Sequence, residues 1–361
     1  MKKYAIYLPQ FHEIEQNNRW WGKGYTEWTC VRKAEPLYKN HKQPKLPENE
    51  NYYNLLDKKS LEWQARIAKE NGIDGFVIYH YWFKGQLIME KPVELLLDNE
   101  DIDIEYYLCW ANHTWYKGAG KDRTVLINQE YGDTSDWLDH YKYLSRFFHD
   151  SRYKKIDNKP VLMLYNSAFK EKNEMLDYID RLAKEDGFDG LYVIEVYKEN
   201  LSYKRIRRFK NGLWSKTNAI FIREPSVSIA EYYKKHFFIR VWIRLIKPIM
   251  ESKGIVIKKV HKISGNKLYD SLVKYNEKGF GDIRIIRGLC FEWDNTPRHK
   301  YRGYIVTPPD KEKFDIYMNS IIDKDELIIN AWNEWAEGMM LEPTQSDGSK
   351  YLNWIKEWKG Q

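Results

Sequence analysis

Eight runs of apolar and β-branched residues are spaced along the chain, and each closes on polar or aromatic side chains. They are YAIYLPQFH (4–12), DGFVIYHYWF (74–83), IEYYLCWANHTW (104–115), KPVLMLYNS (159–167), GLYVIEVYK (190–198), NAIFIREPS (218–226), IRIIRGLCFEWDN (283–295) and ELIINAWNEWAEG (326–338). Between them lie stretches with helical spacing. After Asp57, the residues Leu61, Ala65, Ile67 and Ala68 precede KENGIDG, which predicts a helix closing at Gly72. MLDYIDRLAKEDGFDG (175–190) repeats the device. Continuously apolar strands that alternate with helices indicate a parallel sheet covered on both faces. Eight such units predict a closed (β/α)8 TIM barrel rather than an open doubly wound sheet, with SKYLNWIKEWKG as the last helix. One barrel with insertions accommodates all 361 residues as a single domain.

Long loops are expected after strand 1 (13–56) and strand 3 (116–135), and a basic, aromatic-rich insertion (227–265) between strands 6 and 7. Loops that follow the strands build the catalytic face of a barrel. KGAGKD (117–122) has too few residues between its glycines and lysine for a phosphate loop and reads as a turn. DID (101–103), ahead of strand 3, reads as a solvated turn.

The strand ends carry the chemistry. They offer His12; then His80, Tyr81 and Trp82; then Trp110, Asn112 and His113; then Tyr165 and Asn166. Glu195, Glu224, the cluster Trp293-Asp294-Asn295, and finally Glu334 and Glu337 complete the circuit. A polar end on one strand is ordinary, but on all eight it describes a site. His12, His80, Trp110, Asp294 and Glu334 are therefore expected to open on one common face.

Glu334 and Glu337 stand three apart among tryptophans in NAWNEWAEG. Paired carboxylates are the usual equipment for glycosidic bonds, one protonating the leaving oxygen and the other acting as nucleophile or base. Residues i and i+3 share a face if the chain turns helically there. A wall of Trp332 and Trp335 is expected to raise the pKa of the acid member. The other reading of the pair is a helix cap or partners for an arginine. His80 and His113 lack a third ligand at a supporting spacing, so hydrogen bonds to sugar hydroxyls are expected of them and no metal is. Asp294 and Asn295 fit both a turn and a ligand contact.

Composition sharpens this picture. Aromatic residues make up 16% of the chain, including 15 Trp and 28 Tyr, and rings with polar tips suit the half-apolar faces of sugars. Three cysteines without a CxxC pair argue against a disulfide framework or zinc knuckle. The N-terminal apolar run is too short for a signal segment, so a cytoplasmic protein is expected. The net charge is +7, yet residues 201–260 alone carry +12. Such regional charge favours an anionic partner. Residues 234–259 interleave Phe, Trp and Ile with Lys and Arg, as an interfacial helix on an anionic membrane does, or a helix covering the barrel.

Several uncommon motifs occur in one order: YLPQFH, WWGKGYTEW, YHYWF, WAN, KPVLMLY, WDNTPR and NAWNEWAEG. In these the chain resembles the WbsX-type glycosyltransferases of surface-polysaccharide loci, which are related to glycoside hydrolase family 99. The resemblance implies a (β/α)8 barrel that acts on α-linked, mannose-like sugars without a cofactor. It implies that Glu334 deprotonates a sugar 2-hydroxyl to give a 1,2-anhydro intermediate, and that Glu337 is the general acid/base. Its motifs add Trp21, Tyr25, Glu27, Trp28, Arg298, Asn333 and Trp335 to the substrate-binding set of His12, His80, Tyr81, Trp110, Asn112, His113, Tyr165, Glu195, Trp293, Asp294 and Asn295. This chain has His113 where such proteins often carry a glutamate.

Three functions follow. The first is a glycosyltransferase of O-antigen or capsule synthesis, working on a glycan or lipid-linked oligosaccharide at the inner face of the plasma membrane. The second is a retaining endo-acting hydrolase of the family 99 type. The third is a non-catalytic barrel that binds glycan or nucleic acid, although this leaves the paired acids unexplained and nucleic acid is not the expected partner. No nucleotide-binding fingerprint is present.

Overall fold

The computed structural model describes residues 1–118, 123–252, 255, 257–276, 280–321 and 325–358. Eight parallel strands form the barrel: β1 (Lys2–Tyr7), β2 (Gly75–Phe83), β3 (Glu105–Trp110), β4 (Lys159–Leu164), β5 (Tyr192–Tyr197), β6 (Ala219–Ile222), β7 (Arg284–Leu289) and β8 (Glu326–Ile329). Each pairs in parallel with its sequence neighbours. The circle closes where β8 meets β1, with Lys2 opposite Glu326 and Ala5 opposite Ile329. All nine residues of β2 are buried, because side chains on one face fill the barrel while those on the other meet a helix.

The outer layer is α1 (Lys58–Glu70), α2 (Lys91–Leu97), α3 (Thr134–Phe148), α4 (Lys172–Glu185), α5 (Tyr203–Asn211), α6 (Gly265–Tyr275), α7 (Lys311–Ser320) and α8 (Lys350–Glu357). Asp57 caps α1 by accepting from the Lys59 amide, and α1 buries Leu61, Gln64, Ala65 and Ala68 against the sheet. Burying each leucine-sized side chain contributes roughly 1.5–3 kcal/mol. Gly72, at φ +78°, ends that helix in a conformation other residues resist. Asp133 caps α3 in the same way as Asp57.

The strands are shorter than the apolar runs that announce them. β8 keeps only four residues in the sheet, and the remainder of its run turns across the barrel mouth. The loop after β1 holds two short helices, Glu15–Trp21 and Glu27–Arg32, and the loop after β3 holds a hairpin of Trp115–Lys117 with Thr124–Ile127. Within KGAGKD, residues 119–122 lie outside the described residues. Asp101 sits in a turn, as expected of DID, and pairs with Lys58 at 2.6 Å.

Between β6 and α6 the chain makes helical segments at Ser226–Lys235, Phe237–Val241, Trp242–Ile246 and Lys247–Ser252. Of the expected interfacial segment, residues 253, 254 and 256 lie outside the described residues. A short strand, His261–Ile263, then pairs with Tyr304–Val306, which in turn pairs with Trp293–Asp294. This small sheet ties the insertion to the rim of the barrel. Among the described residues, no helix is long and apolar enough to cross a membrane.

Candidate active site

The site is built outward from the end of β8. The Asn330 amide bonds to the Leu289 carbonyl, and its side chain donates to the Glu224 carbonyl, each at 2.8 Å. The Asn333 side chain imitates a strand neighbour: it accepts from the Leu8 amide at 2.7 Å and donates to the Leu8 carbonyl at 3.0 Å. With the backbone anchored on both sides, Asn333–Glu334 pairs antiparallel with Met339–Met340, and Trp335–Glu337 forms one 3-10 turn. Gly338 closes that turn at φ +59°, the left-handed region that favours glycine. A Cβ there would come within 3.1 Å of Asp294. The turn brings Glu334 and Glu337 to one cleft of about 610 Å³ at the C-terminal ends of the strands.

Glu334 is buried, and Arg298 is its nearest cation. The Arg298 guanidinium donates to Glu27 at 2.6 Å and lies 3.9 Å from Glu334. Glu27 also accepts from the Ala336 amide at 3.2 Å, so it holds both the arginine and the acidic turn. Trp293 donates its indole N–H to Glu337 at 3.0 Å. Burial, then the neighbouring Glu337 carboxylate, push the Glu334 pKa up to about 8, against the opposing pull of Arg298 and Arg223. A second carboxylate beside a buried acid disfavours its ionised form, so Glu334 keeps its proton at neutral pH.

The indole N–H groups of the tryptophan wall are not directed at Glu334. Trp335 instead donates to Glu342, a buried acid that also accepts from Tyr53 at 2.8 Å and Gln64 at 2.7 Å. Trp332 is fully buried against Phe76, with ring centroids 5.1 Å apart. Burial lifts Glu342 to about 7 despite its donors.

Of the residues singled out from the sequence, Trp21, Tyr25, Tyr81, His113, Tyr165 and Arg298 line the cleft together with Glu334 and Glu337. Glu27, Trp293 and Asn333 touch the acidic turn or its anchors, as described. The remainder point elsewhere. The His80 ring turns outward to α3, 2.9 Å from His140. Trp110 donates to the Trp82 carbonyl at 3.2 Å and packs edge-on against His140. Asn112 bridges β3 to β4 through both backbone groups of Asn166. Glu195 is spent on Lys172 at 2.8 Å, the Trp214 amide and Thr217. Trp28 donates to the Tyr53 carbonyl and packs on Trp335. His12 is buried away from the cleft lining, and burial lowers its pKa to about 4.

Asp294 makes a turn and a brace together. It accepts from Thr296, from Gln43 at 2.8 Å and from His41 at 2.8 Å, bonds that outweigh burial and hold its pKa below the usual value. The Leu37 amide donates to His41 Nδ1, so His41 gives its Nε2 proton to Asp294. Asn295 accepts from the Tyr304 amide at 2.7 Å. Of the five residues expected on one common face, Glu334 alone is among the cleft-lining side chains.

The cleft also presents Gln10, Tyr79, Trp115, Tyr116, Arg123 and Arg223, none of which the sequence reading singled out. Strand parity explains two of them. Successive strand residues face opposite sides, so Tyr79 and Tyr81 face inward while His80 and Trp82 face α3. Arg223 lines the cleft in the same way, while its neighbour Glu224, read as the strand-end group, is buried on Ser228. Among the described residues, no group of three His, Cys, Asp or Glu side chains is arranged to hold a metal ion.

The family described as Glycosyltransferase WbsX matches residues 3–355. The uncharacterized protein WxcX of Xanthomonas campestris pv. campestris is 28% identical over 364 residues, covering 97% of this chain and 48% of its own length. Its counterpart from a second strain is 27% identical over 362 residues, with the same coverage of 97% and 48%. The chain thus spans about half the length of the curated relatives it matches. Among solved structures, a glycoside hydrolase-like protein is similar with a TM-score of 0.61 at 13% identity, covering 100% of this chain and 94% of that one. The family 99 endo-α-mannosidase of Bacteroides thetaiotaomicron, in complex with bis-tris-propane, is similar with a TM-score of 0.57 at 10% identity, over 99% of this chain and 95% of its own. At these identities the likeness is one of fold.

Proposed function

Because this chain belongs to the Glycosyltransferase WbsX family, we propose that it is a carbohydrate-active enzyme of surface-polysaccharide synthesis that forms or rearranges an α-linked, mannose-like bond, with Glu334 and Glu337 as its reacting acids. The observation that carries this reading is the acidic pair itself: one turn brings both carboxyls to an aromatic cleft, where burial and the neighbouring Glu337 favour the protonated form of Glu334. Glu337 protonates the leaving glycosidic oxygen. Glu334 takes the proton of the sugar 2-hydroxyl, whose oxygen closes on C1 to give a 1,2-anhydro sugar. An acceptor hydroxyl then opens that ring, passing its proton to Glu337 while Glu334 returns one to O2. In the unliganded protein, burial favours the proton on Glu334. A sugar hydroxyl donating to Glu334 favours its charged form and moves the proton to Glu337, where the reaction needs it.

Hydrolysis is the same chemistry with water as acceptor, and the fold shared with endo-α-mannosidases supports it as the second reading. The test is incubation with α-mannose-containing oligosaccharides in water, with and without an acceptor glycan, followed by NMR of the anomeric protons. New α-linkages support transfer, and free reducing ends support hydrolysis. Unchanged glycans across a panel of mannose-type donors argue against both.

The reading extends to location. Phe238 is 86% exposed, and Phe237, Trp242, Leu245, Ile246 and Ile249 are also exposed on the insertion, beside exposed Lys234 and Lys235. Apolar and cationic side chains together support docking on the anionic inner leaflet, where lipid-linked glycans are assembled.

A further inference from the structure

Four consecutive strand ends gather basic groups around one tyrosine ring. Tyr165 follows β4, and its ring is the hub. Lys198, just past β5, places its Nζ 3.8 Å from the ring centroid and 2.9 Å from the Tyr165 carbonyl. Arg223, just past β6, lies 5.6 Å from the same centroid. The His113 ring, past β3, stands 5.3 Å away. Among the described residues, Lys198 makes no ion pair with any acid. Arg223 is held by one bond to Ser226 at 2.7 Å, while its buried Nε has no hydrogen-bond partner. Arg223 also faces Glu334 and Glu337 across the mouth, which leaves Lys198 and His113 as the side of the cluster away from the acids.

We propose that this basic arc is a subsite for an oxyanion carried by the glycan, either the carboxylate of a uronosyl residue or the phosphate of a phosphorylated sugar. The proposal rests on the reading of the cleft as a glycan site. Lys198, without an acid partner among the described residues, is repelled by Arg223 and loses hydration, and an anion that reaches it relieves both costs. Burial, then the charge of Arg223, lower Lys198 to about 8. Enclosure by the cleft walls, then Lys198 and Arg223, also lower His113. A neutral hexose can accept hydrogen bonds from these groups but carries no charge to offset theirs. Tyr79 packs edge-on against Tyr165 at 6.0 Å and holds the hub in place.

Calorimetry with three probes tests the assignment: methyl α-mannoside, its C6 carboxylate, and mannosyl 1-phosphate. One anionic probe is expected to bind at least about tenfold tighter than the neutral one, the scale of one charge-assisted hydrogen bond. The Lys198→Gln/His113→Gln double variant is expected to lose that preference while keeping its melting temperature. Arg223 is left in place because it also faces the glutamate pair. A carboxylate preference assigns a uronosyl residue, and a phosphate preference assigns a phosphorylated sugar. Equal binding of the three probes, binding of none, or a preference that survives in the double variant overturns the proposal. Glu334→Gln run in parallel loses turnover if the acid pair is catalytic, whereas the anion preference is read from binding alone, so the two readings fail separately.

Discussion

Replacing Glu334 by Gln should stabilise the protein, and by an amount that grows with pH. The ordinary glutamate pKa of 4.5 becomes about 8 in the fold. An acid whose folded pKa lies above its unfolded one takes up protons on folding. Its native form is uncompromised below about pH 4.5, and stability is lost as pH rises from there through about 8. At about 1.4 kcal/mol per pKa unit, the carboxyl costs roughly 1 kcal/mol at pH 5, roughly 3 at pH 7 and up to roughly 5 at pH 9. Interaction with the neighbouring Glu337 carboxylate makes these figures ceilings. Gln keeps the shape and removes the charge, at the expense of the 3.9 Å attraction to Arg298. The unfolding entropy of 361 residues makes 1 kcal/mol worth roughly 1–2 °C in Tm. The variant should therefore match wild type near pH 4.5 and melt a few degrees higher near pH 9. Differential scanning calorimetry in matched buffers reads this directly. A difference that is flat with pH, or that favours wild type in alkali, would refute the electrostatic account of the pair.

Trp335→Phe removes one of three donors to buried Glu342 and should cost about 1–3 kcal/mol in urea unfolding. The pH optimum of turnover should stay in place, because this indole serves Glu342 rather than the reacting pair. Gly338→Ala must hold alanine at φ +59° against Asp294 and should lose about 1–2 kcal/mol; kcat should fall further than stability implies, because Glu337 stands on that turn. Phe238→Ser/Leu245→Ser should reduce co-sedimentation with anionic liposomes while leaving the circular dichroism unchanged, and wild-type protein that ignores such liposomes would end the membrane reading.

The barrel was legible because each strand lies in a long apolar run and a helix such as α1 carries its own period and cap. Those are local signals. The acidic turn was legible for a similar reason, since Glu334, Glu337 and Gly338 lie within five residues of one another. Side-chain direction was harder. At the ends of β2 and β6 the neighbouring residues His80 and Tyr81, or Arg223 and Glu224, face opposite ways, and only register against the adjacent strands decides which faces in. Partners far apart in the chain were not legible at all. Asp294 finds His41 across 253 residues, and Gln64 finds Glu342 across 278. The hydrogen-bond partner of Trp335 was not legible either: Trp335 stands next to Glu334 in sequence, and the fold turns its N–H toward Glu342.

The central claim is that Glu334 and Glu337 together carry out the chemistry, and it is tested most directly by rates for Glu334→Gln, Glu337→Gln and the double variant on a mannose-type donor. Each single variant should lose at least about two orders of magnitude in kcat, the scale of general acid–base catalysis. The double variant should lose little more than the worse single, because the two residues serve one transition state. Glycan affinity should survive in all three. Single variants that keep near-normal turnover, with their folding confirmed by calorimetry, would contradict the account.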